Sequence, residues 1–153
     1  MAKKTKVYIG ADHAGFALKE HIKKFLQQRK ISLWDCGNTG FDPDDDYPDY
    51  AYAVAKEVAA HNVFGILVCG SAEGMSIAAN KVKGVRAVVV HDVREARLTR
   101  KHNNANVLCL SGWRLPVANA QRIISIWLAT PFSAEERHRR RINKIRKIER
   151  QEL

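Results

Sequence analysis

The residues best suited to chemistry fall in one short stretch, Cys69-Gly70-Ser71-Ala72-Glu73-Gly74. A thiol and a hydroxyl share a turn bounded by Gly70 and Gly74. The apolar run Val63–Val68 precedes it and the small-residue segment Met75–Asn80 follows. This order reads as a buried strand, a tight turn and a helix. Backbone N–H groups converge in such a turn, and a helix start adds partial positive charge, so an anion is stabilised there. The same context predicts a lowered pKa for the Cys69 thiol. Two plainer readings stand beside this one: Cys69 as a small buried hydrophobe, and Ser71 as a helix cap. Cys36 and Cys109 lack the glycine turn and read as structural.

Other polar groups stand at similar places. Asp12-His13 follows the strand-like Val7–Ala11, either as a turn and helix cap or as a grip on sugar hydroxyls and a phosphate. Arg114 lies beyond a later strand. His102-Asn103-Asn104 is either a solvated helix end, where the dipole favours His, or the seat of a general acid–base group. Arg137 and Arg141 are four apart and share a helix face, either solvated or placed to fork a phosphate. The turn lacks the Lys of a P-loop and does not fit G-x-G-x-x-G, so no nucleotide site is predicted. No His, Cys or carboxylate group has metal-ligand spacing, so no metal is implied.

The elements that must position these groups alternate. Strands are predicted at Val7–Ala11, Ile31–Trp34, Val63–Val68, Arg86–Val90 and Asn106–Leu110. Between them, Leu18, Ile22, Phe25 and Leu26 mark one helical face, with Lys19 elsewhere. Ala51, Val54, Ala55 and Val58 mark the inner face of another helix. A Gly-, Asn- and Asp-rich loop, Gly37–Asp46, is long for a compact domain, and such loops are often functional. A polar helix runs from Val93 to His102. Pro116 opens a helix with Val117, Ala120, Ile124, Trp127 and Leu128 inward. Ser133 and Glu136 have capping-box spacing for a last helix, where Ile142, Ile145 and Ile148 form a thin stripe. That stripe is a candidate surface for a second subunit. Most strands are continuous apolar runs, as in a parallel sheet covered on both faces. The second strand, interrupted by Ser32, belongs nearer an edge. In such sheets ligands bind beyond the carboxyl ends of the strands.

The 153 residues fit one domain, 1–153, with no repeat or linker. No apolar run reaches the length of a membrane span. Met1–Lys6 has no signal-peptide pattern, so a cytoplasmic protein is expected. The three cysteines are widely spaced and read as reduced thiols. Net charge is +10, concentrated near the C-terminus. A basic tail fits nucleic acid or phosphorylated metabolites, and charge alone does not decide.

Taken in order, several segments resemble the ribose-5-phosphate isomerase B family, which also includes galactose-6-phosphate isomerase subunits. They are Gly10–Phe16 with Leu18-Lys19, Asp46–Ala51, Cys69-Gly70-Ser71, Gly74–Lys81, Gly84–Ala87, His102-Asn103 with Asn106–Leu108, and Arg137-His138 with Arg141. The resemblance spans nearly the whole chain. It implies an α/β fold, a Rossmann-like three-layer α/β/α sandwich with a five-stranded parallel sheet and an extra C-terminal helix. It implies an aldose–ketose isomerase that needs no cofactor or metal, interconverting ribose 5-phosphate and ribulose 5-phosphate in the pentose phosphate pathway. The partners it implies are a sugar phosphate and further copies of the chain, in a homodimer or homotetramer with interface active sites. Neither membrane nor nucleic acid is among them.

Carried over by position, Cys69 is the base working through an enediolate. Ser71 and the Gly70–Gly74 turn stabilise the anion, helped by Asn103. His102 opens the sugar ring, with His138 the second candidate. Asp12 and Tyr47 contact the sugar, and His13, Arg114, Arg137 and Arg141 bind the phosphate. One departure stands out: Ala72 replaces the family's second glycine, which would be costly if the backbone there needs positive φ. The alternatives are a six-carbon sugar-phosphate isomerase, for allose or galactose 6-phosphate, and a non-catalytic binding protein on the same fold.

Overall fold

The computed structural model describes residues 5–151, so the reading of Met1–Lys4 lies outside the described residues. Five strands, β1 (Lys6–Ala11), β2 (Ser32–Asp35), β3 (Phe64–Cys69), β4 (Ala87–Val89) and β5 (Val107–Ser111), alternate with helices. The helices are α1 (Phe16–Gln28), α2 (Tyr47–His61), α3 (Glu73–Ala79), α4 (Val93–Asn103), α5 (Val117–Ala129) and α6 (Glu136–Glu149). All strand pairings are parallel, in the order β2-β1-β3-β5-β4. The interrupted strand β2 is at an edge, as its pattern predicts. β1 and β3 are neighbours, with Ala11 opposite Val68. The chain leaves β1 toward one edge and returns at β3, so a crevice opens between their carboxyl ends.

Two apolar cores flank the sheet. On one face α1, α4 and α5 pack over Val7, Ile9, Ile66, Val68, Leu108 and Leu110. On the other, α2 and α3 pack over Leu67, Val107 and Cys109. The alternation of strand residues between these cores is the period of two that a sheet covered on both faces requires. The inner face of α2 is Ala51, Val54, Ala55 and Val58, as its spacing predicts. In α5 Ile123 joins Ala120, Ile124 and Trp127 as fully buried, while Val117 and Leu128 are half-buried.

Two expectations are corrected. Lys19 is not on an outer face but fully buried in α1. Its ammonium lies 2.9 Å from Asp35 Oδ1 and also donates to the Asn38 carbonyl. Lys23 reaches the same carboxylate at 2.7 Å. Burial pushes the Asp35 carboxyl up, but Lys23, Lys19 and the Gly37 N–H outweigh it and hold it below the usual range. This cluster ties the start of the 37–46 loop to α1. The capping box at Ser133 does not form either. Glu135 occupies the cap of α6 without a side-chain hydrogen bond, because Ser133 Oγ lies 2.8 Å from His138 Nδ1 instead.

Candidate active site

The carboxyl end of β3 delivers Cys69 into the predicted turn. α3 starts two residues earlier than expected, at Glu73. Its N-cap, Ala72, is fully buried at φ 75° and ψ −17°. The departure noted in the sequence therefore falls on a left-handed residue, at a cost of about 1 kcal/mol for a side chain with a Cβ. The N–H groups of Met75, Ala72 and Ser71 in this turn favour the charged form of the Cys69 sulfur.

The thiol pKa is the opposite of the expectation. Burial raises it above its ordinary value. The Met75, Ala72 and Ser71 N–H groups pull it back, while Asp12 pushes it up. The turn supplies anion stabilisation as predicted, but desolvation behind β3 outweighs it. Burial pushes Cys36 up to about 11 and raises Cys109 further in full burial. Ser71 Oγ accepts from the Glu73 N–H at 3.3 Å, a local turn that leaves its hydroxyl proton free to donate.

Asp12 and His13 follow β1 on the near side of the crevice. Asp12 is buried and caps the turn through the Gly15 N–H at 3.0 Å. Burial raises its pKa, against that hydrogen bond and the His13 charge. Asp45, from the long loop, accepts from both the His13 backbone N–H at 3.0 Å and Nδ1 at 2.8 Å. The Asp45 hydrogen bond, with help from Asp12 and Asp42, raises the His13 pKa, so the imidazolium is favoured. Its Nε2 remains to meet an anion. Asp12, His13 and Asp45 bring their ligand atoms within 4.8 Å of one another, a grouping that linear spacing does not reveal.

Two aromatic rings flank the turn. A Cβ on Gly70 would stand 2.5 Å from the Trp113 indole, and one on Gly74 would stand 2.7 Å from the Tyr47 ring. Both glycines are needed for this close approach. Tyr47 was expected at the site; Trp113 was not. Arg114 follows Trp113, its backbone N–H held by Ser111 Oγ at 3.2 Å and its side chain exposed.

The remaining predicted residues form a second cluster. α4 starts beyond the carboxyl end of β4 and runs back, so its last turn, with His102 and Asn103, reaches the amino edge of the sheet. Its eleven residues span about 16 Å. Cys69 is level with Ser111, at the other end of β5. Buried Arg100 pins that last turn, with its guanidinium 4.8 Å from the Phe64 ring and 5.5 Å from Trp127. His138, buried on α6, brings its ring centroid within 4.5 Å of that of His102. Burial lowers the His138 pKa, and the charges of His102, Arg137 and Arg141 reinforce the shift. Arg137 is exposed and pairs with Glu135 at 3.0 Å, and Arg141 is exposed. Within one chain Asp12, His13, Tyr47, Cys69, Gly70, Ser71, Gly74 and Arg114 gather at one edge of the sheet. His102, Asn103, Arg137, His138 and Arg141 gather elsewhere.

Asp45 and Trp113 are the functional candidates that sequence reasoning missed. The usable signals were the length of the 37–46 loop and the placement of a Trp in a loop after a parallel strand.

Residues 7–145 match the Ribose/Galactose Isomerase family model. The chain is 42% identical over 146 residues to a probable ribose-5-phosphate isomerase B of Mycoplasma pneumoniae, covering 95% of both chains. Among solved structures it is similar to Clostridium thermocellum ribose-5-phosphate isomerase B, with a TM-score of 0.93, 39% identity, and coverage of 97% of this chain and 100% of the other. It is also similar to ribose-5-phosphate isomerase B of Mycoplasma genitalium, solved with bound ribulose-5-phosphate, with a TM-score of 0.93, 40% identity, and coverage of 96% and 97%. Among the described residues no helix is long and apolar enough to cross a membrane.

Proposed function

The chain belongs to the ribose/galactose isomerase family, and from that premise we propose that it interconverts D-ribose 5-phosphate and D-ribulose 5-phosphate, with Cys69 as the base. One observation carries this reading. A thiol whose charged form is favoured by backbone N–H groups stands at the carboxyl end of a central strand, beside a buried Asp and a His with an open Nε2.

The chemistry follows from the constellation. The Cys69 thiolate removes the C2 proton of the open-chain aldose. The electron pair forms a C1–C2 double bond, and negative charge moves to O1. The Ser71 hydroxyl and the N–H groups of the turn donate to that oxygen, lowering the barrier where charge develops. The thiol then returns the proton to C1, and the O2 proton passes to O1, leaving the ketone at C2 and a hydroxyl on C1. Asp12 and Tyr47 orient the sugar. His13 and Arg114 hold the phosphate, whose binding energy fixes the geometry of carbons that it does not touch.

His102 opens the furanose ring. His138 faces it and is the second candidate for that step. Asn103 assists at the enediolate, and Arg137 and Arg141 complete the phosphate site. These five groups lie away from Cys69 in their own chain, and that separation supports a homodimer, or a homotetramer of such dimers, in which one subunit completes the site of another. The exposed Ile145 and Ile148 on α6 supply apolar surface for such contact. The enzyme is one domain and acts in the cytoplasm, without cofactor, membrane or nucleic-acid partner.

The test is conversion of ribose 5-phosphate to ribulose 5-phosphate by wild type and Cys69→Ala. Turnover in the wild type and a loss of about 10³-fold in the variant, the scale of a missing general base, are expected. Undiminished turnover in the variant would move the base elsewhere. A wild type active only on six-carbon sugar phosphates would change the substrate.

A further inference from the structure

The proposed reaction leaves Trp113 without a task. This indole is 72% exposed, more than the Tyr47 ring on the other flank of the turn, while Met75 and Val68 beneath it are fully buried. A large exposed apolar side chain at the mouth of a site is a feature that burial alone does not explain. Its backbone is also held in place. The Trp113 backbone N–H donates to the Gly70 carbonyl at 3.2 Å, and Ser111 Oγ donates to the same oxygen at 2.6 Å. The preceding Gly112 N–H donates to the Cys69 carbonyl at 2.8 Å. One side of the indole lies against Gly70, too close for any side chain there, and the rest is open.

On this footing, which rests on the sugar-phosphate isomerase reading, we propose that Trp113 is a substrate-contacting wall that selects a five-carbon chain over a six-carbon one. The crevice has His13 on the β1 side and the reacting carbons at the Cys69 turn beside it. Trp113 enters from the loop after β5, whose Gly112 packs against Ala14 and Gly15 just beyond His13, and its ring lies over Gly70 in the Cys69 turn. A sugar phosphate held by His13 and Arg114 and reacting at Cys69 runs past that ring. An added carbon has to be accommodated against it. The C–H face of a sugar also packs well on an indole, and a Trp anchored through its backbone offers that surface at little entropic cost.

The experiment compares kcat/KM for ribose 5-phosphate and allose 6-phosphate in wild type, Trp113→Ala and Trp113→Phe. Wild-type turnover of ribose 5-phosphate tests the enzyme reading by itself; if neither sugar is turned over, that reading falls and this one with it. Given turnover, Trp113→Ala is expected to lower the ribose-to-allose preference at least tenfold, with Trp113→Phe in between. A parallel fall on both substrates, or an unchanged ratio, would overturn the wall. A second measurement reads the contact without turnover. Ribulose 5-phosphate should change the tryptophan fluorescence of wild type much more than that of Trp113→Phe, which retains Trp34 and Trp127. Equal changes would overturn the contact. Because the side chain is mostly exposed, circular dichroism and thermal melting are expected to match wild type in both variants.

Discussion

The two polar clusters are built on different principles. At the carboxyl edge the chemistry depends on backbone: N–H groups of the Ala72 turn, glycines approached by rings, a thiol behind a strand and a buried Asp on a turn. At the end of α4 and the start of α6 it depends on side chains, with paired imidazoles beside exposed arginines and no turn of converging donors. The first cluster is shaped by the packing of its own chain. The second presents long, exposed cations, and such groups suit a site assembled from two surfaces.

The sharpest way to break this comparison is to separate the clusters on different chains. Cys69→Ala, and Arg137→Ala combined with Arg141→Ala, are each expected to lose nearly all turnover. If sites are shared, unfolding and refolding the two variants together in equal amounts gives mixed dimers with one intact site. Recovery of about one quarter of wild-type turnover is then expected, because half of the dimers are mixed and half of their sites are whole. No recovery would place both clusters in the service of a single chain.

The next effect concerns what stiffens the carboxyl edge. Asp35→Ala leaves the fully buried Lys19 ammonium without its carboxylate. A loss of about 3 kcal/mol in urea denaturation is expected, the scale for removing one partner of a buried pair. The sign with pH follows from the lowered Asp35 pKa. Its contribution is present above the unfolded carboxyl value of about 3.9 and is lost as pH falls through the lower folded value. No comparable pair braces Arg137 or Arg141, so charge removal there should leave the melting temperature almost unchanged.

A smaller effect is expected at His13. Asp45→Asn removes the hydrogen-bonded carboxylate that favours the imidazolium. KM for ribose 5-phosphate should rise several-fold near neutral pH with kcat little changed. The rise should shrink at lower pH, where the imidazole is protonated without help. An equal loss at every pH would make Asp45 a purely structural residue. The smallest effect belongs to Ala72→Gly. Relief of the left-handed strain, the added backbone freedom of glycine and the lost buried methyl offset one another, so stability should change by less than about 1 kcal/mol.

The sequence made the alternation of elements legible because continuous apolar runs and helical spacing are local signals. It identified the α2 face residue by residue, and it placed the interrupted β2 at an edge. It did not show that Lys19 is buried, because its partner Asp35 reaches it from β2. Asp45 and Trp113 were hidden for the same reason: a loop's path depends on tertiary contacts. Cys69 was found by its turn, yet its pKa shift was read with the wrong sign. The donors are written in the glycine pattern, whereas the burial that outweighs them follows from packing between β3 and α3. The clustering of His102 with His138 needs the direction of α4 and the placement of α6, and neither is encoded locally.

The burial of Cys69 also bears on how the protein ages. Peroxide and alkylating electrophiles attack thiolates that solvent can reach. A thiol whose pKa is raised by burial, in a residue only 4% exposed and walled by β3 and the turn, is a poor target for both. The same desolvation that disfavours the thiolate is a chemical shelter, and the Cys69 thiol should outlast surface groups when the protein is stored in air without reductant.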